Sequence, residues 1–544
     1  MLGRPYHRTE SDTMPHTVPP RPKRPRPLPP LRRSDRTAAL AGSALAAVLL
    51  TGCATGPERS TADGPGNADT VSAVTDSAPA PGAGIEWRDC TEAELLPPPL
   101  EGEERPEVEI PEEMRCSEVA IPVDHDAPGG RTTSLQVAIL PHTGEGESRG
   151  AVLYVAGGPA SPGIPDLPQE LETVAELREH FDFVAWNPRG VMGETAEFLP
   201  ADVCGDQGPG YVDVATEEEF DAVMAEHRAV MEECRDRDPE MFDNMDTFQH
   251  VGDMESIRVA LGEERLNLYA QSHGGVRATA YADLYPERLE SVVLDSVVDN
   301  VSDPELREIA FTTAMETRFQ DFARWCADSE ECALHGQDVT ERWQELLTGA
   351  AEEPLPADGI AYGRAELSLM GGNLVRNAFS WPLFSEAIES ALENGDSTRF
   401  HETVGASFYT PNVVAADICA DGGPIEDFAG YQEYTELTVG LSENLGHGRA
   451  LHRLPCAAWP HEGVNPPGPI GTEGLPPFLI LASELEFSYA AAMTGEIPGS
   501  VAVEVEGTGH GLYFFESGDC VVGHVHRYFV DGVLPEEQAF CATD

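Results

Sequence analysis

The stretch that most constrains this chain runs from residue 264 to residue 299 and reads ERLNLYAQSHGGVRATAYADLYPERLESVVLDSVVD. An apolar run at 266–269 predicts a buried strand, and the sequence AQSHG, with Ser272 at its centre, follows it directly. Small residues then recur at helical spacing as far as Pro286, and a second apolar run occupies 291–298. The order strand, sharp turn, helix, strand is typical of a turn that lifts a serine hydroxyl above a sheet. Small residues beside such a turn let the helix and the strand approach closely.

The five-residue pattern around Ser272 is a weak signal by itself. The chain has 52 glycines in 544 residues, so a match to Ala/Gly-x-Ser-x-Gly arises by chance about 0.4 times in a chain of this length. The simpler interpretation is an ordinary strand-to-helix turn with an incidental serine. The sequence around the motif therefore has to decide between a nucleophile and a structural serine.

Apolar runs that predict strands alternate with segments of helical spacing over most of the chain. This alternation predicts an α/β fold with an eight-stranded, mostly parallel sheet that is covered by helices on both faces. The helices with the clearest spacing are 217–235 and 247–261. The predicted strands, of which the first two form an antiparallel hairpin, are 117–123, 132–140, 151–155, 181–186, 266–270, 291–298, 478–482 and 501–505.

The chain divides into segments of different composition. Residues 1–52 contain nine basic residues before a short apolar run and end in Leu-Thr-Gly before Cys53, which resembles the signal peptide of a bacterial lipoprotein. A plain secretory signal is the alternative. Residues 53–85 predict a flexible tether. We expect the sheet domain over 86–300 and 406–544, with 301–405 inserted as a helical cap over the carboxyl ends of the strands.

The cysteine count also favours export. The chain has 11 cysteines, and lipidation of Cys53 leaves an even number, which suits an oxidising compartment. Pairing along the sequence is the simplest prediction, although sequence alone does not fix connectivity. The sequence contains no Cys-x-x-Cys motif and no His/Cys cluster that would suggest a zinc site. The predicted pairs are Cys90–Cys116, Cys204–Cys234, Cys326–Cys332, Cys419–Cys456 and Cys520–Cys541.

The charge of the chain is strongly negative. It has 34 Lys and Arg against 95 Asp and Glu, for a formal net charge of −61. Such a field repels nucleic acid and anionic lipid and argues against acidic substrates. We therefore expect no nucleic-acid partner, and contact with a membrane only through the lipid on Cys53.

Two glycine-rich loops follow predicted strands at the edge of the sheet where Ser272 lies. The first contains Gly158 and Ala160 after strand 151–155, and its backbone N–H groups can stabilise an oxyanion together with the N–H of His273. The second contains His510 after strand 501–505, where an imidazole can reach the serine as general base. Each loop alone is also compatible with an ordinary turn.

The orienting acid is expected after strand 478–482, because the order nucleophile, acid, histidine is typical of α/β-hydrolases. The sequence there is Ser-Glu-Leu-Glu, so the acid is a glutamate, either Glu484 or Glu486. On an extended backbone both side chains would point the same way. The position farther from the strand favours Glu486.

Taken together, these motifs resemble the tripeptidyl aminopeptidase branch of the proline iminopeptidase-like α/β-hydrolases, from about residue 87 to residue 541. In that family Glu486 aligns with the catalytic acid. The resemblance implies a serine peptidase that acts on short peptides with a free N-terminus, without metal or cofactor. The sequence departs from the family pattern at Ala270, Ala160, His273 and Glu486. The segments that carry the resemblance are 157–160, 181–190, 269–274, 292–299, 419–421, 483–486 and 507–511.

The resulting hypothesis is an exported aminopeptidase with a Ser272–His510–Glu486 triad, anchored to the outer face of a bacterial membrane or secreted. Acidic cap residues are expected to bind the substrate ammonium. Two alternatives remain open at this point: a carboxylesterase or lipase that uses the same triad, and a surface lipoprotein that binds ligands without catalysis.

Overall fold

The computed structural model describes residues 85–96, 108–159, 161–204, 214–404, 418–423, 425–516 and 518–542. The predicted leader, the lipidation site Cys53 and the tether up to residue 84 lie outside these residues, as does Ala160. Among the described residues, no helix is both long and apolar enough to cross a membrane.

A single ten-stranded sheet forms the centre of the described chain, in the order β1-β2-β3-β5-β4-β6-β7-β10-β11-β12. The first three strands are antiparallel to their neighbours, and every later pairing is parallel. The eight predicted strands are all present; the two added strands are short edge strands. The sheet strands are β1 Arg88–Asp89, β2 Arg115–Pro122, β3 Thr132–Leu140, β4 Ala151–Val155, β5 Asp182–Trp186, β6 Leu266–Gln271, β7 Leu289–Asp295, β10 Leu479–Ser483, β11 Val501–Val505 and β12 Phe540–Cys541. Strands β8 Leu355–Ala357 and β9 Ile360–Tyr362 form a separate hairpin.

Helices cover both faces of the sheet, so its central strands are buried throughout and read as continuous apolar runs. All five residues of β4 are buried. Alternate residues of this strand point to opposite faces: Leu153 belongs to one apolar cluster and Val152 to the other. The helices are α1 Glu92–Leu95, α2 Glu194–Phe198, α3 Ala201–Cys204, α4 Glu217–Arg235, α5 Pro239–Phe242, α6 Thr247–Leu261, α7 Gly274–Leu284, α8 Pro304–Asp328, α9 Val339–Glu352, α10 Arg364–Arg376, α11 Trp381–Asn394, α12 Thr398–Val404, α13 Phe428–Leu441, α14 Gly446–Arg453, α15 Phe487–Glu496 and α16 Asp519–Asp531.

The helices after β7 have an apolar core of their own. Phe319, Trp343 and Phe384 are completely buried in it. Helices α13 and α14 pack against α8 and α10, and the sheet resumes only at β10. We call α8 to α14 the cap. We predicted that the cap ends at residue 405, which lies outside the described residues. Helices that precede residue 405, α8 and α10, pack against helices that follow it, α13 and α14.

Five disulfides cross-link the described chain in the sequential pattern that we predicted. They join Cys90 to Cys116, Cys204 to Cys234, Cys326 to Cys332, Cys419 to Cys456 and Cys520 to Cys541.

Candidate active site

Ser272 occupies the turn between β6 and α7 in a strained backbone conformation. Its φ is 52°, a value that non-glycine residues rarely adopt. Two backbone hydrogen bonds tie the turn to the chain after β7: the Ser272 N–H donates to the Asp295 carbonyl at 3.0 Å, and the Ser272 carbonyl accepts the Val298 N–H at 3.1 Å. The neighbouring strand thus holds the serine in this conformation.

The glycines around Ser272 are required by space. A Cβ atom on Gly157 would lie 2.6 Å from the Ser272 Cβ. On Gly274 it would overlap the Val155 carbonyl oxygen, and on Gly275 it would overlap the Val297 side chain. Helix α7, the loop after β4 and the serine can therefore meet only where side chains are absent.

His510 and Glu486 are brought together by the loops after β11 and β10. The distance between His510 Nδ1 and Glu486 Oε1 is 2.9 Å. The Glu486 side chain is 2% exposed, whereas 40% of the His510 side chain is exposed. A carboxylate on Nδ1 leaves Nε2 as the ring nitrogen that can exchange a proton with a serine.

Glu484 and Glu486 point to different environments. The Glu486 N–H donates to the Ser483 carbonyl at 2.9 Å, so the chain turns as soon as β10 ends. Glu484 is exposed and Glu486 is buried. The condition under which both side chains would point the same way, an extended backbone, is therefore not met.

Asp295, at the end of β7, holds the loop that carries His510. Its completely buried carboxylate accepts the backbone N–H of Leu512 at 2.9 Å and that of Tyr513 at 2.8 Å. It also accepts the hydroxyls of Tyr269 and Ser296, at 2.8 and 2.9 Å. Burial raises the pKa of Asp295, and these hydrogen bonds offset that effect in part. Sequence reasoning missed this residue.

One cap residue reaches the acid. Arg376, at the end of α10, donates from a terminal guanidinium nitrogen to Glu486 Oε1 at 3.3 Å. His510 binds the same oxygen. The cap thus contributes a positive charge beside the histidine–carboxylate pair, a contact that the sequence did not predict.

A cavity of about 670 Å³ lies between the cap and the carboxyl ends of the strands. Ser272, His510, Gly158 and His273 all line it, so the predicted oxyanion residues that are described lie beside the predicted nucleophile. Gly158 has a φ of 107°, a left-handed conformation that glycine adopts easily. Ala160, the third predicted oxyanion residue, is outside the described residues.

The cavity wall carries charges of both signs. Among the described residues, the lining arginines are Arg307, Arg376, Arg449 and Arg453, and the lining carboxylates are Asp299, Glu308, Asp421 and Glu486. The cap contributes Glu308, but Arg449 binds both of its oxygens, at 2.8 and 2.7 Å. Burial alone would raise the pKa of Glu308. The charges of Arg449 and Arg453 and the hydrogen bonds from Arg449 and Tyr434 together outweigh burial and hold that pKa well below its usual range. This cap carboxylate is therefore already neutralised.

One group of potential metal ligands occurs in the part of the chain that the structure describes. Cys520, His524 and Cys541 place their ligand atoms within 4.8 Å of one another. Both cysteines belong to one disulfide, and thiolates rather than disulfide sulfurs bind metals. The group is better explained as a disulfide with a histidine beside it.

These features together define an α/β-hydrolase. The sheet is mostly parallel, a serine lies on a strained strand-to-helix turn, and a histidine after the last long strand is hydrogen-bonded to a buried acid. A family profile described as "alpha/beta hydrolase fold" matches residues 150–349, and one described as "TAP-like protein" matches residues 442–541.

Similar proteins cover nearly the whole chain. The Tripeptidyl aminopeptidase of Streptomyces lividans is 28% identical over 94% of this chain and 98% of its own length. Serine protease Hip1 of Mycobacterium tuberculosis is 23% identical over 85% of this chain and 91% of its own. Carboxylesterase B of the same species is 24% identical over 79% and 86%. The chain has the α/β-hydrolase fold and is similar to tripeptidyl aminopeptidases over most of its length, and it is a serine hydrolase.

Proposed function

We propose that the chain is an exported aminopeptidase that releases short peptides from free N-termini through an acyl-enzyme on Ser272. The observation that carries the proposal is the His510–Glu486 hydrogen bond at the wall of the cavity that Ser272 lines. The size of the cavity supports a short substrate, because about 670 Å³ is available between the cap and Ser272. Two similar proteins have names that specify peptide-bond cleavage.

In the proposed mechanism, Ser272 Oγ attacks the scissile carbonyl while His510 Nε2 accepts the hydroxyl proton. Glu486 keeps the imidazole in the correct tautomer and stabilises the imidazolium. The backbone N–H groups of His273 and of the loop that contains Gly158 and Ala160 stabilise the oxyanion. His510 then gives the proton to the leaving amine, and a water molecule releases the acyl group by the same steps in reverse order.

The test compares three substrates of matched sequence: a tetrapeptide with a free amine, its N-acetyl derivative and an alkyl ester of the N-terminal tripeptide. The proposal predicts that the free peptide has a higher kcat/KM than the acetylated one, and that Ser272→Ala abolishes both reactions. Equal cleavage of free and acetylated peptides would instead indicate an endopeptidase.

A carboxylesterase is the second candidate. It is favoured by the similarity to Carboxylesterase B and by the apolar side chains of Phe311, Met315 and Leu369 in the cavity wall. Hydrolysis of the ester without hydrolysis of either peptide would support it. Failure of Ser272 to react with a fluorophosphonate probe would support a binding protein without catalysis.

Export and lipidation are part of the proposal and rest on the sequence before residue 54, which lies outside the described residues. We expect a Cys53→Ser protein to leave the membrane fraction, because the acylated thiol is lost. If that variant remains as membrane-bound as the wild type, the lipid anchor is excluded.

A further inference from the structure

The charge of the cavity wall contrasts with that of the chain. Acidic residues outnumber basic residues 95 to 34 overall, yet among the described residues four arginines and four carboxylates line the cavity. Positive charge is therefore concentrated at the one place where a substrate meets Ser272. The partners of these arginines show whether that charge is already neutralised.

Two of the four arginines have carboxylate partners. Arg449 binds Glu308 through two hydrogen bonds and also lies over the Phe311 ring, at 4.4 Å from its centre. Arg376 binds Glu486. These two guanidinium groups are held by the protein and stabilise its own carboxylates.

The other two arginines lack such partners. Arg307 donates to the backbone carbonyl of Asp299, which carries no net charge. The Asp299 carboxylate accepts the N–H groups of Val301 and Ser302, each at 3.0 Å. None of the ion pairs or hydrogen bonds among the described residues includes Arg453, and its Nε is buried without a partner.

Arg307 and Arg453 also lie close enough to affect each other. Burial lowers the pKa of Arg307 and the charge of Arg453 lowers it further, while the Asp299 and Glu308 carboxylates offset only part of this effect. Both side chains remain partly accessible from the cavity. Neither guanidinium has a hydrogen bond or ion pair to a carboxylate among the described residues, so part of the cost of burying its charge remains, and a ligand carboxylate bound to both would offset it. The planar guanidinium fork matches a carboxylate with two parallel hydrogen bonds.

We propose that Arg453 and Arg307 form a subsite for a carboxylate of the substrate, so that the enzyme prefers short peptides with a negative charge at one position. This inference rests on the proposed peptidase function. It also reverses, for the cavity, our expectation from the overall charge that acidic substrates are disfavoured. The carboxylate comes from an acidic side chain or from the free C-terminus of a short peptide.

The experiment measures kcat/KM for matched acidic and neutral peptides. One pair is tetra-alanine and its C-terminal amide; the others are tetra-alanine amides with Glu or Gln at position 1, 2, 3 or 4. We expect one pair to show a preference of about 10- to 100-fold for the acidic peptide. The pair that shows it identifies the source of the carboxylate.

Variants then assign the preference to the two arginines. Arg453→Gln and Arg307→Gln are expected to reduce the ratio towards one, because kcat/KM falls more for the acidic peptide than for the neutral one. Arg453→Lys keeps the charge but loses the fork, and should retain part of the ratio. The matched control is Arg324→Gln, because Arg324 lies on the same helix as Arg307 and is 67% exposed. A preference unchanged in Arg453→Gln, or absent from the wild type, would overturn the subsite.

Binding separates this proposal from the peptidase proposal. Calorimetry with the Ser272→Ala protein measures the affinity of the same peptide pairs without turnover. Selective binding that depends on Arg453, in a protein whose wild type cleaves no peptide, would refute the peptidase and keep the subsite. Cleavage of all peptides without selectivity would refute the subsite and keep the peptidase.

Discussion

The Asp295 carboxylate accepts the backbone N–H of Tyr513 at 2.8 Å, and this bond joins the strand that follows the Ser272 turn to the loop that carries His510. Every hydrogen bond that Asp295 makes through its two carboxylate oxygens in the described structure has the carboxylate as acceptor. An amide at this position would turn an N–H group towards a donor. The histidine loop therefore depends on a residue that does not line the cavity.

We predict that Asp295→Asn lowers kcat by about 10- to 100-fold and costs about 1–3 kcal/mol of unfolding free energy, because one buried donor loses its acceptor. The control is Tyr269→Phe, which removes a bond to the same carboxylate but leaves both loop N–H groups bonded. Steady-state kinetics and denaturant unfolding of both variants test this. If the two variants lose the same activity at equal stability, Asp295 does not position His510.

Glu486→Gln should keep the fold and lower kcat by several orders of magnitude, about 10⁴-fold in the best-studied triad, because the amide favours the wrong imidazole tautomer. Glu484→Gln is the matched control: it lies two residues earlier, is exposed and should change kcat little. Kinetics of the two purified variants decide the matter. The reverse pattern would remove Glu486 from the triad.

Arg376→Gln should lower kcat by about 10-fold, because Glu486 Oε1 loses one of the two side chains that hold it in place beside His510. Steady-state kinetics and denaturant unfolding of the purified variant test this, since a general loss of structure would lower stability as well as kcat. Arg324→Gln serves again as the control. Equal kcat in the two variants would contradict the prediction.

His227 should make stability depend on pH. Burial lowers its pKa to about 4 from an ordinary value of 6.5. Above pH 6.5, His227 is neutral in both the folded and the unfolded chain, so it does not make the unfolding free energy depend on pH. Below that, the unfolded chain binds a proton that the folded chain excludes, so unfolding free energy falls as pH falls towards 4, by about 3 kcal/mol in total.

Denaturant unfolding between pH 7 and pH 4.5 tests this. A His227→Leu protein should lose that part of the decline, because its buried side chain cannot take up a proton. The exposed His461, with 47% of its side chain accessible, provides the control through His461→Gln. An identical pH dependence for wild type and His227→Leu would contradict the prediction.

The sequence predicted the elements that follow a local rule. Helices α4 and α6 begin and end where the sequence predicted them. In α4, buried residues recur at helical spacing between exposed ones. The serine turn was visible because its glycines are needed for close packing. Edge strands β1 and β12 have two residues each, too few to show any period.

The residues that the sequence missed act across the fold. Asp295 ends an apolar strand, and nothing near it in sequence indicates that it binds a loop more than 200 residues later. Arg376 and Arg453 are ordinary arginines of cap helices until those helices pack over the sheet. Periodicity could not separate Glu484 from Glu486, and we chose Glu486 from its distance to the strand; the turn after β10, which separates their environments, was not predicted.

The contact between Arg376 and Glu486 has a consequence for protein engineering. A cap grafted from another α/β-hydrolase that lacks this arginine would remove a contact of Glu486, the proposed catalytic acid, as well as change the wall of the cavity. Cap exchange in this chain is therefore also a change to the proposed reaction centre, and chimeras that keep the arginine are the ones in which specificity can be varied alone.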